Sequence, residues 1–170
     1  MTYTWRWKME TPKLQAGDLI VTSGKKLHQR VIQWWTYSRF NHIGIILNAE
    51  GDILEAVFPK ARIRNIEEYR KAGESFSILR LKPSYALVNP AKMAEAIEWA
   101  RRLEGKAYDW RGIIGLGLRC KLINRKGFYF CSETAYQFWQ VKLDVEITRQ
   151  EEKYFTPQDA YESVAFYIAN

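Results

Sequence analysis

The chain has 170 residues, the size of one ordinary domain, and its 47% hydrophobic and 15% aromatic content supplies a full core, which excludes a disordered chain. Twenty-six Lys and Arg against nineteen Asp and Glu leave a formal charge of +7, but the basic residues are scattered. The thin stretch from Arg119 to Lys126 excludes a specific nucleic-acid footprint, and no apolar run approaches the roughly 20 residues of a membrane span.

The basic balance suits an anionic partner, such as a lipid headgroup or an acidic cell-wall polymer, as well as it suits simple solubility. MTYTWRWKME at the start carries no apolar stretch of an export signal, so a cytoplasmic location is the expectation. Two cysteines, Cys120 and Cys131, and two histidines make neither a disulfide framework nor a zinc spacing. Neither a metal nor a cofactor is expected, and the oligomeric state is open. With no internal repeat or linker, residues 1–170 are taken as one domain.

In chain order, Asp18-Leu19-Ile20-Val21-Thr22 is a β-branched run that predicts a strand. Leu27, Val31, Trp34 and Trp35 fall on one face of a helix. Ile43 to Leu47 predicts a buried strand, and the turn Asn48-Ala49-Glu50-Gly51 leads into a second, Asp52 to Phe58, to form a hairpin. Arg62 to Arg64 and Phe76 to Leu81 predict two more strands. Asn89 as N-cap and Pro90 in the first turn open a helix whose apolar stripe is Met93, Ala96, Ile97, Ala100 and Leu103, with Gly105 as its stop. After a connector holding Gly112, Gly115 and Gly117, Phe128 to Cys131 runs into a predicted helix start at Ser132-Glu133-Thr134. Thr156-Pro157 opens another, and an apolar run, Val164 to Ile168, follows. Strands and helices mix without regular alternation, which predicts an α+β fold with an antiparallel sheet.

Cys131 carries the sharpest chemistry. A sulfur at a helix N-terminus meets unpaired amides and the positive end of the dipole, which favour a thiolate and can also hold an oxyanion. Alone, Cys131 is better read as a small buried hydrophobe. His42 alters the balance, because it stands at the mouth of an apolar strand where its ring can face a cleft. His28, on a polar helix face, has no such setting. Glu55 is an acid embedded in the apolar strand Ile53 to Val57. If Asn48 pairs with Gly51, Gly44 faces Glu55, which puts Glu55 on the His42 face as a diagonal neighbour; a slip of one residue would turn it away. It serves then either as the group that orients the imidazole or as a solvent-facing strand residue.

Gly17-Asp18-Leu19-Ile20, Phe40-Asn41-His42-Ile43-Gly44-Ile45-Ile46, Ile53-Leu54-Glu55-Ala56, Tyr108-Asp109-Trp110 and Phe130-Cys131-Ser132-Glu133 follow one another in this order. Together they resemble the circularly permuted branch of the NlpC-like, papain-fold cysteine peptidases, nearest to the YiiX/YebB-like group and more distantly to lecithin retinol acyltransferase. The resemblance spans about residues 16 to 165, and the histidine precedes the cysteine as in that branch. It implies a papain-like fold in which a small antiparallel sheet packs against helices, with a nucleophile at a helix N-terminus. It also implies Cys131 as nucleophile, His42 as base and Glu55 as third group. Asp18, Tyr108 and Trp110, which lie within the quoted motifs, are candidate substrate contacts. For Tyr108 to Trp110 the plainer assignment is core packing by Trp110 and turn capping by Asp109. Trp34, Trp35 and Tyr37 suit either the core or an apolar wall for an acyl chain.

Three functions follow: a thiol amidase acting on a peptide, such as a peptidoglycan stem peptide; a thiol acyltransferase or lipase at a membrane surface; and a non-catalytic binding module of the same fold.

Overall fold

A computed structural model describes residues 13–23, 38–107 and 130–169. The predicted helix around Leu27 to Trp35, with His28, and the glycine-rich connector lie outside the described residues. So do Tyr37, Tyr108, Trp110 and Cys120.

The chain is α+β, as its sequence predicts. Six strands, β1 (Leu19–Ser23), β2 (His42–Ile46), β3 (Asp52–Glu55), β4 (Arg62–Asn65), β5 (Ser75–Leu81) and β6 (Phe166–Ile168), form one sheet in the order β4-β3-β2-β1-β5-β6. Every neighbouring pair is antiparallel. Leu19, Ile20 and Val21 are all fully buried, because β1 is central and covered on both faces.

Alternation sorts the side chains into two cores. Leu19, Val21, Ile43, Ile45, Leu54 and Leu79 join the larger one, together with Ala96, Ala100, Cys131, Ala135, Phe138, Trp139 and Phe155. Ile20, Ile46, Ile53 and Ile78 join a smaller one on the other face, with Ile66 and Tyr69. The smaller core is closed by α1 (Ile66–Lys71), an element not predicted from the sequence. Its start is a capping box: the Asn65 side chain accepts from the Glu67 amide, and Glu68 accepts from the Asn65 amide at 3.3 Å. The larger core is covered by α2 (Pro90–Arg101) and α3 (Cys131–Tyr136), the latter continuing as a π-helical turn over Gln137–Lys142. A short α4 (Pro157–Glu162) precedes β6. Asn89 caps α2 by accepting from Ala91 at 2.8 Å, and Gly105 follows the helix at φ 77°, a conformation that favours glycine.

The β2–β3 hairpin has the register that its turn implies. Ile45 faces Leu54 and Ile46 faces Ile53, which sets Gly44 opposite Glu55. Asn48 ties the turn through its own side chain, accepting from the Asp52 amide at 3.0 Å and donating to the Asp52 carboxylate at 2.9 Å. β3 is shorter than the predicted Asp52 to Phe58, because pairing with β4 ends at Glu55–Arg62 and residues 56–61 make the connection between the two. At the other end of β1, the buried Asp18 carboxylate takes two hydrogen bonds from Arg80 of β5, at 2.8 and 2.6 Å, and one from the Gln15 amide. This ion pair locks β1 to β5 where the chain enters the sheet.

These contacts set the cost of two substitutions. A Cβ on Gly44 would stand 2.7 Å from Ile53 Cγ2 and 3.1 Å from the Leu54 carbonyl oxygen. Gly44→Ala is therefore expected to lose about 1–3 kcal/mol in equilibrium urea unfolding. Asp18→Asn leaves Arg80 facing a neutral partner, and because Arg80 keeps some solvent its cost in the same measurement is expected near the lower end of the roughly 3–5 kcal/mol typical of a broken buried pair.

Candidate active site

One end of the sheet gathers the last residues of β1 and β3 and the first of β2 and β4. His42, the first residue of β2, lies opposite Thr22. The segment before it is fixed by local bonds: the Asn41 amide donates to the Thr22 carbonyl at 3.0 Å, and the Ser38 hydroxyl both donates to the Phe40 carbonyl and accepts from the Phe40 amide. The Phe40 ring packs on Tyr161, with centroids 4.7 Å apart. The imidazole is thereby held at a sheet end, with only 13% of its side chain exposed.

Cys131 is the first residue of α3, preceded by Phe130 in an extended conformation. Glu133 accepts from the Phe130 amide at 3.4 Å, and Thr134 returns its amide and hydroxyl to the Phe130 carbonyl, both at 3.0 Å. These bonds fix the turn on which the sulfur stands. Cys131 is a free cysteine, 8% exposed, in the larger core.

The imidazole of His42 interacts with both Cys131 and Glu55. Its Nε2 lies 3.4 Å from Glu55 Oε1, an ion-pair distance without hydrogen-bond alignment. With Nε2 turned to the carboxylate, Nδ1 is the ring nitrogen left for the sulfur. Burial opposes a charge on this ring. Hydrogen bonding and charge attraction from Cys131 and Glu55 outweigh that opposition and raise the His42 pKa to about 10, so the ring is an imidazolium at neutral pH.

Glu55 is 1% exposed and does not stand alone. Arg62, its cross-strand partner on β4, donates from Nε to Oε2 at 3.0 Å. The Tyr69 hydroxyl of α1 donates to Oε1, the same oxygen that faces His42, and Arg64 Nη1 lies 4.0 Å from it. Burial alone would push this carboxyl up. His42 and then Arg62 pull it below the usual carboxylate range, so it stays an anion.

Thus the structure brings together three of the residues singled out in the sequence, Cys131, His42 and Glu55, and adds Arg62, Arg64 and Tyr69. The first two additions follow from β4 pairing with β3. The third had a signal in the sequence, the Asn65-x-x-Glu68 capping box, which places Tyr69 on the first turn of a helix. Asp18 is not brought to this group. It lies four residues from Thr22 along the chain, roughly 13 Å away, engaged by Arg80.

Two observations concern the described residues as a whole. No group of three or more His, Cys, Asp or Glu among them is arranged to hold a metal ion. No helix among them is long and apolar enough to cross a membrane.

The fold is similar to the crystal structure of the metalloprotein yiiX from Escherichia coli O157:H7 (DUF1105). The TM-score is 0.71 over 93% of this chain and 97% of that one, at 17% sequence identity. No curated protein matches the chain in sequence. Residues 13–164 match the permuted papain-like amidase enzymes of the YaeF/YiiX, C92 family, and the chain belongs to that family.

Proposed function

We propose that the protein is a cysteine amidase in which Cys131 is the nucleophile, His42 the general acid and base, and Glu55 the group that orients and charges the imidazole. The observation that carries this reading is one imidazole, shielded from solvent, that interacts both with a thiol at a helix start and with an anionic carboxylate. Membership of an amidase family supports hydrolysis of an amide.

The steps follow from the atoms present. It is the thiolate form of Cys131, beside the His42 imidazolium, that attacks the amide carbon and forms a C–S bond. The carbonyl oxygen becomes an oxyanion, which the Cys131 amide at the start of α3 helps to hold. His42 gives its proton to the leaving nitrogen as the C–N bond breaks. The neutral ring then takes a proton from water, whose oxygen attacks the thioester and releases the acid and the thiolate. Glu55 stabilises the imidazolium whenever it forms and fixes which ring nitrogen faces the sulfur. Each step above uses only this chain's own side chains and amides.

The substrate class proposed is a peptide amide, with a peptidoglycan stem peptide as the first to test and an anionic one favoured by the basic surface. Wild type and Cys131→Ala are to be exposed to stem peptides and, in parallel, to acyl lipids, and read by intact mass. A peptide acyl adduct on the wild type alone is expected. An adduct formed only from the lipids would replace the amidase by the acyltransferase, and wild-type Cys131 that alkylates like an ordinary thiol would end both. Among variants, His42→Ala is expected to lower turnover by roughly 10²–10⁴-fold.

The charged ring also sets a pH dependence. A folded-state pKa of about 10 against about 6.5 in the unfolded chain means that His42 stabilises the fold fully below about 6.5, and that this contribution fades as pH rises toward 10. Alkylation of Cys131 by iodoacetate, an anion drawn to the imidazolium, is expected to hold a plateau at neutral pH and to fall on an alkaline limb near 10. In His42→Ala the plateau should vanish.

A further inference from the structure

We infer that Tyr69 is a positioning residue of this site: its hydroxyl holds Oε1 of Glu55 against His42 and so keeps the carboxylate aligned with the imidazole. The inference rests on the amidase reading and extends it to a residue that acts through Glu55.

Four observations carry it. The Tyr69 hydroxyl donates to the one carboxylate oxygen that His42 Nε2 approaches. Tyr69 is 1% exposed, so no solvent competes for that bond, and removing the hydroxyl leaves an oxygen with one buried donor fewer. Its ring is packed by the Arg64 guanidinium, 4.1 Å from its centroid, and by Phe76 edge-on at 6.1 Å. Finally, its helix is anchored independently of the site, through the Asn65–Glu68 capping box and Ile66 in the smaller core.

The other holders of Glu55 cannot substitute. Arg62 grips only Oε2, and with 55% of its side chain exposed it is the wet end of the arrangement. A carboxylate held at one oxygen by a half-solvated arginine is free to rotate about its terminal bond and turn Oε1 away from the ring. Arg64 is too far from Oε1 for a hydrogen bond, at 4.0 Å, and is shared with Glu68 at 3.4 Å and Glu74 at 3.5 Å. Of these three, Tyr69 is the one that is both fully buried and hydrogen-bonded to Oε1. Among the described residues, the charged and titratable groups that bear on the imidazole are Cys131 from α3 and Glu55 from β3. Those on Glu55 are His42 from β2, Arg62 and Arg64 from β4, and Tyr69 from α1.

The test is the iodoacetate pH profile of Cys131 in Tyr69→Phe, which keeps the ring and the Arg64 stack but removes the donor. With Oε1 released, the imidazolium loses part of its anionic partner. The alkaline limb is expected to move to lower pH by about one unit, and amide turnover to fall several-fold with KM little changed. In a Glu55→Gln background, Tyr69→Phe should add no further shift. A limb superimposable on the wild type, a limb moved to higher pH, or an equal shift in the Glu55→Gln background would each overturn the inference while leaving the amidase intact. If wild-type Cys131 shows no plateau at all, the amidase reading fails first and takes the inference with it. Should Tyr69→Phe not fold, 3-fluorotyrosine placed at position 69 keeps shape and hydroxyl but ionises at lower pH. Alkylation must then fall together with ionisation of that phenol, read by its absorbance, and a profile unmoved from the wild type overturns the inference.

Discussion

A carboxylate with almost no access to water must find its compensation within the protein, and Glu55 finds it in four directions. His42 lies along the sheet, Arg62 across it, Tyr69 beneath it on α1, and Arg64 at longer range. Burying an isolated anion would cost far more than the stability of a whole domain, and a group so placed would simply take up a proton. A protonated Glu55 would be useless to the imidazole. Arg62 therefore does more than hold the side chain still: with His42 it keeps Glu55 charged, and that charge in turn favours the imidazolium of His42.

This requirement accounts for the local architecture. The β2–β3 hairpin must have the register that puts Gly44 opposite Glu55, because a slip of one residue would send the carboxylate into the apolar core that holds Leu54. Gly44 itself is crowded by Ile53 and Ile20, so that register is also the one in which only glycine fits. β4 must follow β3 to bring Arg62 across from Glu55, and α1 must return at once so that Tyr69 reaches under the sheet. Cys131 belongs to the larger core and Tyr69 to the smaller. The His42–Glu55 pair joins them around the end of the sheet, so the site depends on both layers being packed.

The parts of this that were legible in the sequence are those governed by short-range rules. Asn48 and Gly51 announce the turn, and if they pair, counting back along two strands of period two places Glu55 beside His42. Asn89-Pro90 announces α2 for equally local reasons. Tyr69 was not legible as a member of the site, because its place depends on β4 pairing with β3 and on a one-turn return that no hydrophobic periodicity signals in six residues. The capping box was present, but a capping box declares a helix start and says nothing of what the helix faces. Asp18 shows the converse. Its motif was recognisable, yet its partner Arg80 lies 62 residues away across the sheet, and only the fold reveals that the charge is engaged there. The meeting of Cys131 with His42 is of the same kind; nothing local to either residue points to the other, and the resemblance to permuted enzymes supplied the link.

Permutation is physically neutral for such a site, and the structure makes clear why. What the chemistry needs is a helix N-terminus facing a sheet end, with an imidazole on one strand and a carboxylate on the next. The contacts that build this arrangement are a hairpin, a cross-strand pair and a helix–sheet interface, and each is indifferent to whether the helix comes before or after the sheet. Joining the elements in either order costs only the entropy of closing a connecting segment, which grows slowly with its length, by about 0.6 kcal/mol for each doubling. The group that chain order does constrain is the local one, His42 through Tyr69, because a hairpin and an immediate helical return must stay contiguous to work. That stretch carries the carboxylate and its counter-charges among the described residues as one unit, so a permuted chain can deliver the sulfur from far downstream without disturbing the electrostatics on which the proposed chemistry relies.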